Sequence, residues 1–336
     1  MSSLGEFDLI ARLQSALPPA RDERLIVGIG DDAAVWRVGS GFTFATTDTM
    51  VDAVHFRRDS VEARDVGWKS LATNISDIAA MGGVPSFALV TLCLPWTVEP
   101  EWADELYRGL RECAELYGVT VAGGDLVASS VLTVTIALMG EPSAFDAGGA
   151  PLLLRRDAAR AGDAIAVTGS LGGSSGGLLV LHNGQGSDDG RALISRHVRP
   201  RPQVDAGRAA VRAGVRCAID VSDGLVQDLG HICAASGLGA SIRFDDIPVD
   251  PARAARFPDD ARILACTGGE DYELVLVGPH EAIDATSAML DAPLGIIGEI
   301  TDDAEHRVRV VDRDGNEMSF EDDGWDHLKI HPWTPR

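Results

Sequence analysis

Apolar runs that stop at glycine and then at aspartate recur along this chain, and they constrain its fold more than any other feature. Leu25-Ile26-Val27 runs into Gly28-Ile29-Gly30-Asp31-Asp32. Val119-Thr120-Val121-Ala122 ends in Gly123-Gly124-Asp125, and Ala218-Ile219-Asp220-Val221-Ser222 in Asp223-Gly224. Phe42 to Val51 carries Thr46-Thr47-Asp48 near its end. Short β-branched runs bounded by glycine read as strands opening into tight turns. Helical patterns separate them. One starts near Asp65 and places Leu71, Ile75 and Ile78 on an apolar stripe, with Lys69, Thr73 and Asp77 four apart on another face. Gly82-Gly83 ends it and Pro85 keeps it from resuming. Residues 4–17 read as a first helix stopped by Pro18-Pro19, and residues 99–117 as an amphipathic one. Strands alternating with helices give an α/β (α+β) fold.

Asp77 sits among Ser, Ala, Ile and Met with no basic neighbour in sequence. A carboxylate there is either solvated on a helix surface or holds something positive. The same two readings apply to Asp31-Asp32 on their loop.

The net charge of −22 argues against nucleic acid and against anionic membrane surfaces, which both demand basic footprints. Anionic small molecules stay possible if divalent cations bridge to them. Five cysteines without a C-x-x-C pair argue against a disulfide framework or structural zinc and for a reducing cytoplasm. The polar, acidic N-terminus does not read as a signal peptide, and no apolar run is long enough for a membrane span. A length of 336 residues suits two domains. The Pro/Gly-rich stretch 141–151 is the best linker, so the expected division is 1–148 and 149–336.

Gly169 to Gly177, a Gly/Ser loop opening a helix, either cradles phosphate or allows close helix packing. The chain's two lysines, Lys69 and Lys329, lie outside any such loop, which excludes a Walker-type P-loop. Taken together, Asp31, Asp32, Asp48, Asp77, Asp125, Asp220 and Asp223 suggest one carboxylate-lined site that cannot stay ionised without cations. Mg²⁺ is the natural one, because it takes oxygen ligands and bridges to phosphates. No Ser-His-Asp or Cys-His arrangement can be argued from spacing.

These motifs, together with Asn74 to Gly82 and Gly268-Gly269-Glu270-Asp271-Tyr272-Glu273, resemble the thiamine-monophosphate kinase family. The resemblance runs in order from Gly5-Glu6-Phe7 to Gly324-Trp325-Asp326-His327. It implies the two-domain aminoimidazole ribonucleotide synthetase-like fold, with an N-terminal α/β domain forming a β-barrel across a homodimer and a C-terminal α+β domain closing the site. It also implies transfer of a phosphoryl group from ATP to thiamine monophosphate, giving thiamine diphosphate, with Mg²⁺. By motif position the metal ligands would be Asp32, Thr46, Thr47, Asp48, Asp77, Asp125, Asp220 and Asp223. Gly124, Asp125, Arg156 and Ser222 would contact the nucleotide, and His55, Glu270 and Trp325 the thiamine monophosphate. Leu126 stands where the family often has Thr, and Arg155 competes with Arg156 for the nucleotide. The chemistry agrees with the implied reaction. The acceptor oxygen is already anionic, so no general base is needed, and the difficulty lies in bringing two polyanions together. Two other readings stand beside this one: another ATP-using enzyme of the superfamily, such as aminoimidazole ribonucleotide synthetase, and a non-catalytic nucleotide-binding scaffold.

Overall fold

The computed structural model describes residues 6–16, 22–183, 188–303, 305–320 and 324–325. The expected Pro18-Pro19 stop lies outside the described residues.

The first half contains helices α1 (Glu6–Ala16), α2 (Ala63–Ala80) and α3 (Pro100–Tyr117). Its strands are β1 (Leu25–Val27), β2 (Ala34–Val38), β3 (Gly41–Val51), β4 (Gly83–Leu94), β5 (Thr120–Ala128) and β6 (Thr133–Pro142). The second half holds strands β7 (Ala164–Val167), β8 (Cys217–Asp220), β9 (Gly239–Arg243), β10 (Leu274–Gly278), β11 (Gly295–Thr301) and β12 (Val308–Val311). Its helices are α4 (Gly173–Asn183), α5 (Asp188–Val198), α6 (Val204–Ala213), α7 (Leu225–Ser236), α8 (Pro251–Arg256), α9 (Ala261–Thr267) and α10 (His280–Ser287). Among the described residues no helix is long and apolar enough to cross a membrane.

Each half builds a six-stranded sheet, in the orders β1-β2-β3-β6-β4-β5 and β12-β9-β11-β7-β10-β8. Pairing is antiparallel except at β4–β5 and at β12–β9. A parallel pair requires a crossover, and α3 supplies the one between β4 and β5. Helices α2 and α3 cover one face of the first sheet over a core that includes Leu71, Ile75, Leu106, Val134, Ile136 and Leu138. In the second sheet, Ile165, Ile219 and Val275 pack with residues of α7 and α9. Ala166, Ala218 and Leu276 pack on the opposite side with residues of α6 and α10.

Helix α2 is where the two halves meet. The sequence pattern predicts one apolar stripe; the structure buries nearly every residue of this helix, Lys69, Asn74 and Ser76 included. The reason is packing on all sides, against β3, β6, α3, α6 and β8. Two glycines permit the close crossing of α2 with α3. A Cβ on Gly67 would lie 1.9 Å from Leu106 O, and one on Gly109 would lie 1.7 Å from Arg64 O. The helix stops at Met81, and Gly82 then takes φ +72°, the left-handed conformation that favours glycine.

Candidate active site

Carboxylates from three distant segments converge beside α2. Asp32, on the turn after β1, Asp77 on α2 and Asp220 at the end of β8 each bring an oxygen within 4.8 Å of the others. Each is held by a neighbour. Thr46 of β3 donates its hydroxyl to Asp77. Ser76 of α2 donates to Asp220 at 2.6 Å. Asp31 accepts the backbone N–H groups of Asp32 at 3.1 Å and Arg156 at 3.3 Å. Arg156 also turns its guanidinium onto the Asp32 carboxylate. Arg155 pairs instead with Asp157. Of the two arginines that the sequence leaves in competition, Arg156 is the one at the acids.

Asp48 stands beside this group. Strand β2 pairs with β3 only as far as Ala45, and beyond it Asn74 Oδ1 takes the Asp48 N–H at 3.1 Å. Thr47 points to the opposite face by strand alternation and donates to Ile136 O at 3.0 Å.

The electrostatics are those of like charges gathered away from water. Burial raises the pKa of Asp77 first, followed by the charges of Asp48, Asp220 and Asp32. Burial and then Asp32 push Asp220 up to about 8. Burial and Asp32 push Asp31 up to about 7 against the opposing pull of Arg156. Burial works against the charge on Arg156, but the Asp32 carboxylate overcomes it and the net shift is upward. The donor set is entirely oxygen, with one guanidinium against at least three carboxylates. That composition fits a hard divalent cation such as Mg²⁺ and does not fit zinc.

The next segment, Val221 to Gly224, is shaped by a residue that the sequence reading missed. Asp228 Oδ2 accepts the N–H groups of Ser222, Asp223 and Gly224 at 3.0–3.1 Å, and Gly224 takes φ +136°. An acid four residues after a strand-end glycine, in the first turn of a helix, is the signal that could have found it. Asp223 groups with Asp228 and His231, apart from the Asp32 cluster.

The expected thiamine monophosphate residues border the same segment. Glu270 donates its N–H to Ser222 O at 2.8 Å, and Trp325 donates its N–H to Asp223 O at 3.0 Å. Gln227 Nε2 holds Trp325 O at 2.6 Å. His55 Nδ1 accepts the Val51 N–H at 3.1 Å, and its charge registers at Glu270. Glu270 and Tyr272 both take positive φ, +66° and +53°. Such conformations in non-glycine residues cost energy and cluster at functional sites. Buried Tyr272, unassigned by the sequence reading, feels the charges of Glu270, Asp48, Asp220 and Asp77 and so lies between the two groups.

Gly124 and Asp125 are not brought to the cluster. The register Asp48–Ile136–Val90–Gly124 runs straight across the sheet. Three strand steps separate Gly124 from Asp48, about 14 Å. Asp125 is exposed on the edge strand β5, where its Oδ1 accepts the Leu126 N–H. Gly124 has a packing reason, since a Cβ there would lie 1.8 Å from Val90 O.

Residues 30–141 match the model of the AIR synthase related protein N-terminal domain, and residues 160–311 match that of its C-terminal domain. The chain is 40% identical to the thiamine-monophosphate kinase of Salmonella typhimurium, covering 96% of this chain and 98% of the relative. It is 36% identical to that of Bacillus subtilis, covering 97% and 100%. The solved structure of AaThiL complexed with AMPPCP and TMP is similar at TM-score 0.83 and 30% identity, covering 98% of each chain. A structure of HypE in complex with ATP, at 19% identity and TM-score 0.67 over 92% of this chain and 93% of that one, shares the fold. Matched along almost its whole length by relatives of one kind, this chain belongs to the thiamine-monophosphate kinase family.

Proposed function

We propose that this protein phosphorylates thiamine monophosphate with ATP and Mg²⁺, giving thiamine diphosphate and ADP by direct in-line transfer. The observation that carries this reading is the convergence of Asp32, Asp77 and Asp220 on one point, beside a segment bordered by Glu270 and Trp325. Mg²⁺ would be held by Asp32, Thr46, Asp48, Asp77 and Asp220, with Asp223 from the adjoining group, Asp125 from a second copy and Thr47 through its backbone oxygen, since its hydroxyl is taken by Ile136 O, and would neutralise phosphate oxygens as they approach. Arg156, which pairs with Asp32, would add positive charge at the nucleotide, with Ser222 beside it and Gly124, three strands away in this chain, reaching it from a second copy. His55, Glu270 and Trp325 hold the second substrate, with Trp325 giving a stacking face. No side chain needs to act as nucleophile or base, because the attacking atom is a phosphate oxygen that is already ionised. Residues 1–148 then form the half that supplies most of the metal ligands, and residues 149–336 the half that closes the site and brings Arg156, Asp220, Ser222 and Asp223 to it.

The working unit in this reading is a homodimer. All of β5 is exposed in the single chain, as are the apolar residues Phe87, Leu89, Val121 and Val127 and, at 68%, Leu126. An unpaired edge beside an uncovered apolar surface favours joining a second copy. Joining β5 to the free part of β3 in a second copy would also bring Asp125 near the other copy's Asp48. The five cysteines are free, which suits the cytoplasm.

The test is incubation of purified protein with ATP, Mg²⁺ and thiamine monophosphate, with an EDTA control. Equimolar, metal-dependent thiamine diphosphate and ADP is the expected result. ADP and free phosphate without thiamine diphosphate would overturn the acceptor and favour a synthetase.

A further inference from the structure

Lys69 is the one lysine among the described residues, and the reaction described above gives it no role. Its side chain is 3% exposed, and Nζ lies 2.8 Å from Glu270 Oε1. The link is an ion pair, and Nζ has no further partner among the described residues. The other carboxylate oxygen, Oε2, lies 3.4 Å from His197 Nδ1, which is 3.0 Å from Ser174 Oγ. Lys69 and His197 thus seal the rear of the carboxylate. The Glu270 side chain keeps 27% of its surface exposed at the front. Its backbone is fixed as well, at φ +66° with its N–H on Ser222 O.

The charges decide what such a carboxylate can bind. Burial and the Lys69 charge push the pKa of His197 down to about 3, so His197 is neutral. Burial alone would raise Glu270; the Lys69 ammonium overcomes it and the net shift is downward. Glu270 is therefore an ionised hydrogen-bond acceptor whose net charge is already cancelled by Lys69. A neutralised pair attracts a cation weakly but still accepts from an N–H donor, and it offers nothing to a substrate acceptor. Helix α2 sets the distance. Lys69 and Asp77 stand eight residues apart on one face, about 12 Å along the axis. That span suits a small molecule with phosphate at one end and a donor-bearing heterocycle at the other.

We propose that Lys69 is a positioning residue that holds Glu270 as a fixed acceptor, so that the pair selects the amino group on the pyrimidine of thiamine monophosphate. This rests on the functional reading above.

The probe is oxythiamine monophosphate, which replaces that amino group with an oxo group and leaves the thiazolium cation unchanged. Steady-state kinetics of both acceptors, with calorimetric binding beside a non-hydrolysable ATP analogue, read the discrimination. In the wild type, KM and Kd for the oxo analogue should be at least about tenfold higher. In Lys69→Met, KM for thiamine monophosphate should rise about tenfold with kcat within about twofold, and the ratio between the acceptors should approach one. Lys69→Arg should restore the ratio. Removing one partner of a buried pair strands the other, so Glu270→Gln, whose amide both donates and accepts, is measured alongside and should also lose the discrimination. A wild type that handles both acceptors equally, or a folded Lys69→Met that keeps the wild-type ratio, overturns the proposal while the kinase reading stands. No thiamine diphosphate from the wild type removes both.

Discussion

Ser76 of α2 donates its hydroxyl to Asp220 of β8 at 2.6 Å, across 144 residues of sequence. Both residues are buried, so one hydrogen bond ties the helix at the centre of the first half to the sheet of the second. Asp220 is thereby held facing Asp77 and Asp32, a position that their like charges alone would oppose.

Asp220→Asn should separate function from stability. The amide oxygen still accepts from Ser76, so the fold is kept. The loss of a cation ligand should cost several kcal/mol of transition-state stabilisation, about a thousandfold in kcat. In EDTA the variant should melt no lower than wild type, since it removes a buried like charge. Near-normal turnover with Mg²⁺ would contradict the assignment of Asp220.

Asp48→Asn and Asp125→Asn should each abolish most activity alone. Mixed after co-expression, they discriminate between sharing and self-sufficiency. If each site takes Asp125 from the second copy, random dimers should recover about a quarter of wild-type activity, because half are mixed and each has one intact site. A mixture as inactive as its parents would mean that Asp125 serves its own chain.

Gly67→Ala should destabilise the protein by about 3 kcal/mol, because the new methyl has to displace the α3 backbone at Leu106. Urea unfolding would measure this. An unchanged midpoint would show that α2 and α3 separate easily.

Glu273 sets a pH dependence away from the acid cluster. It is buried, accepts from Thr168 Oγ1 at 2.7 Å, and burial pushes its pKa up to about 7. A carboxyl whose folded pKa is raised stabilises the fold at low pH and loses that contribution as pH climbs through the folded value. The contribution is full below the unfolded value, near 4.5, and gone above about 7. Glu273→Gln should remove it, so the melting temperature of the variant minus that of wild type should grow from pH 5 to pH 8. A constant difference over that range would refute the shift.

The sequence by itself determined the elements and their chemistry. Glycine after short β-branched runs marks strand ends, and aspartates at those ends name an oxygen-rich site for a hard cation. The order of the motifs identifies the family, because each strand end and helix stop is written in neighbouring residues. Only the tertiary structure decided which acids meet. Asp32, Asp77 and Asp220 come from segments far apart in the chain, and no local period records that they converge. Nor could periodicity show that α2 is buried on every side, since it reports one amphipathic face while α6 and β8 come from the second half. Asp125 carries the same Gly-Gly-Asp signal as its fellows, yet the strand order places it three strands from Asp48. Lys69 and Glu270 looked unrelated until folding buried the lysine against the half-buried carboxylate, where an ion pair that would be weak on the surface becomes strong enough to fix it.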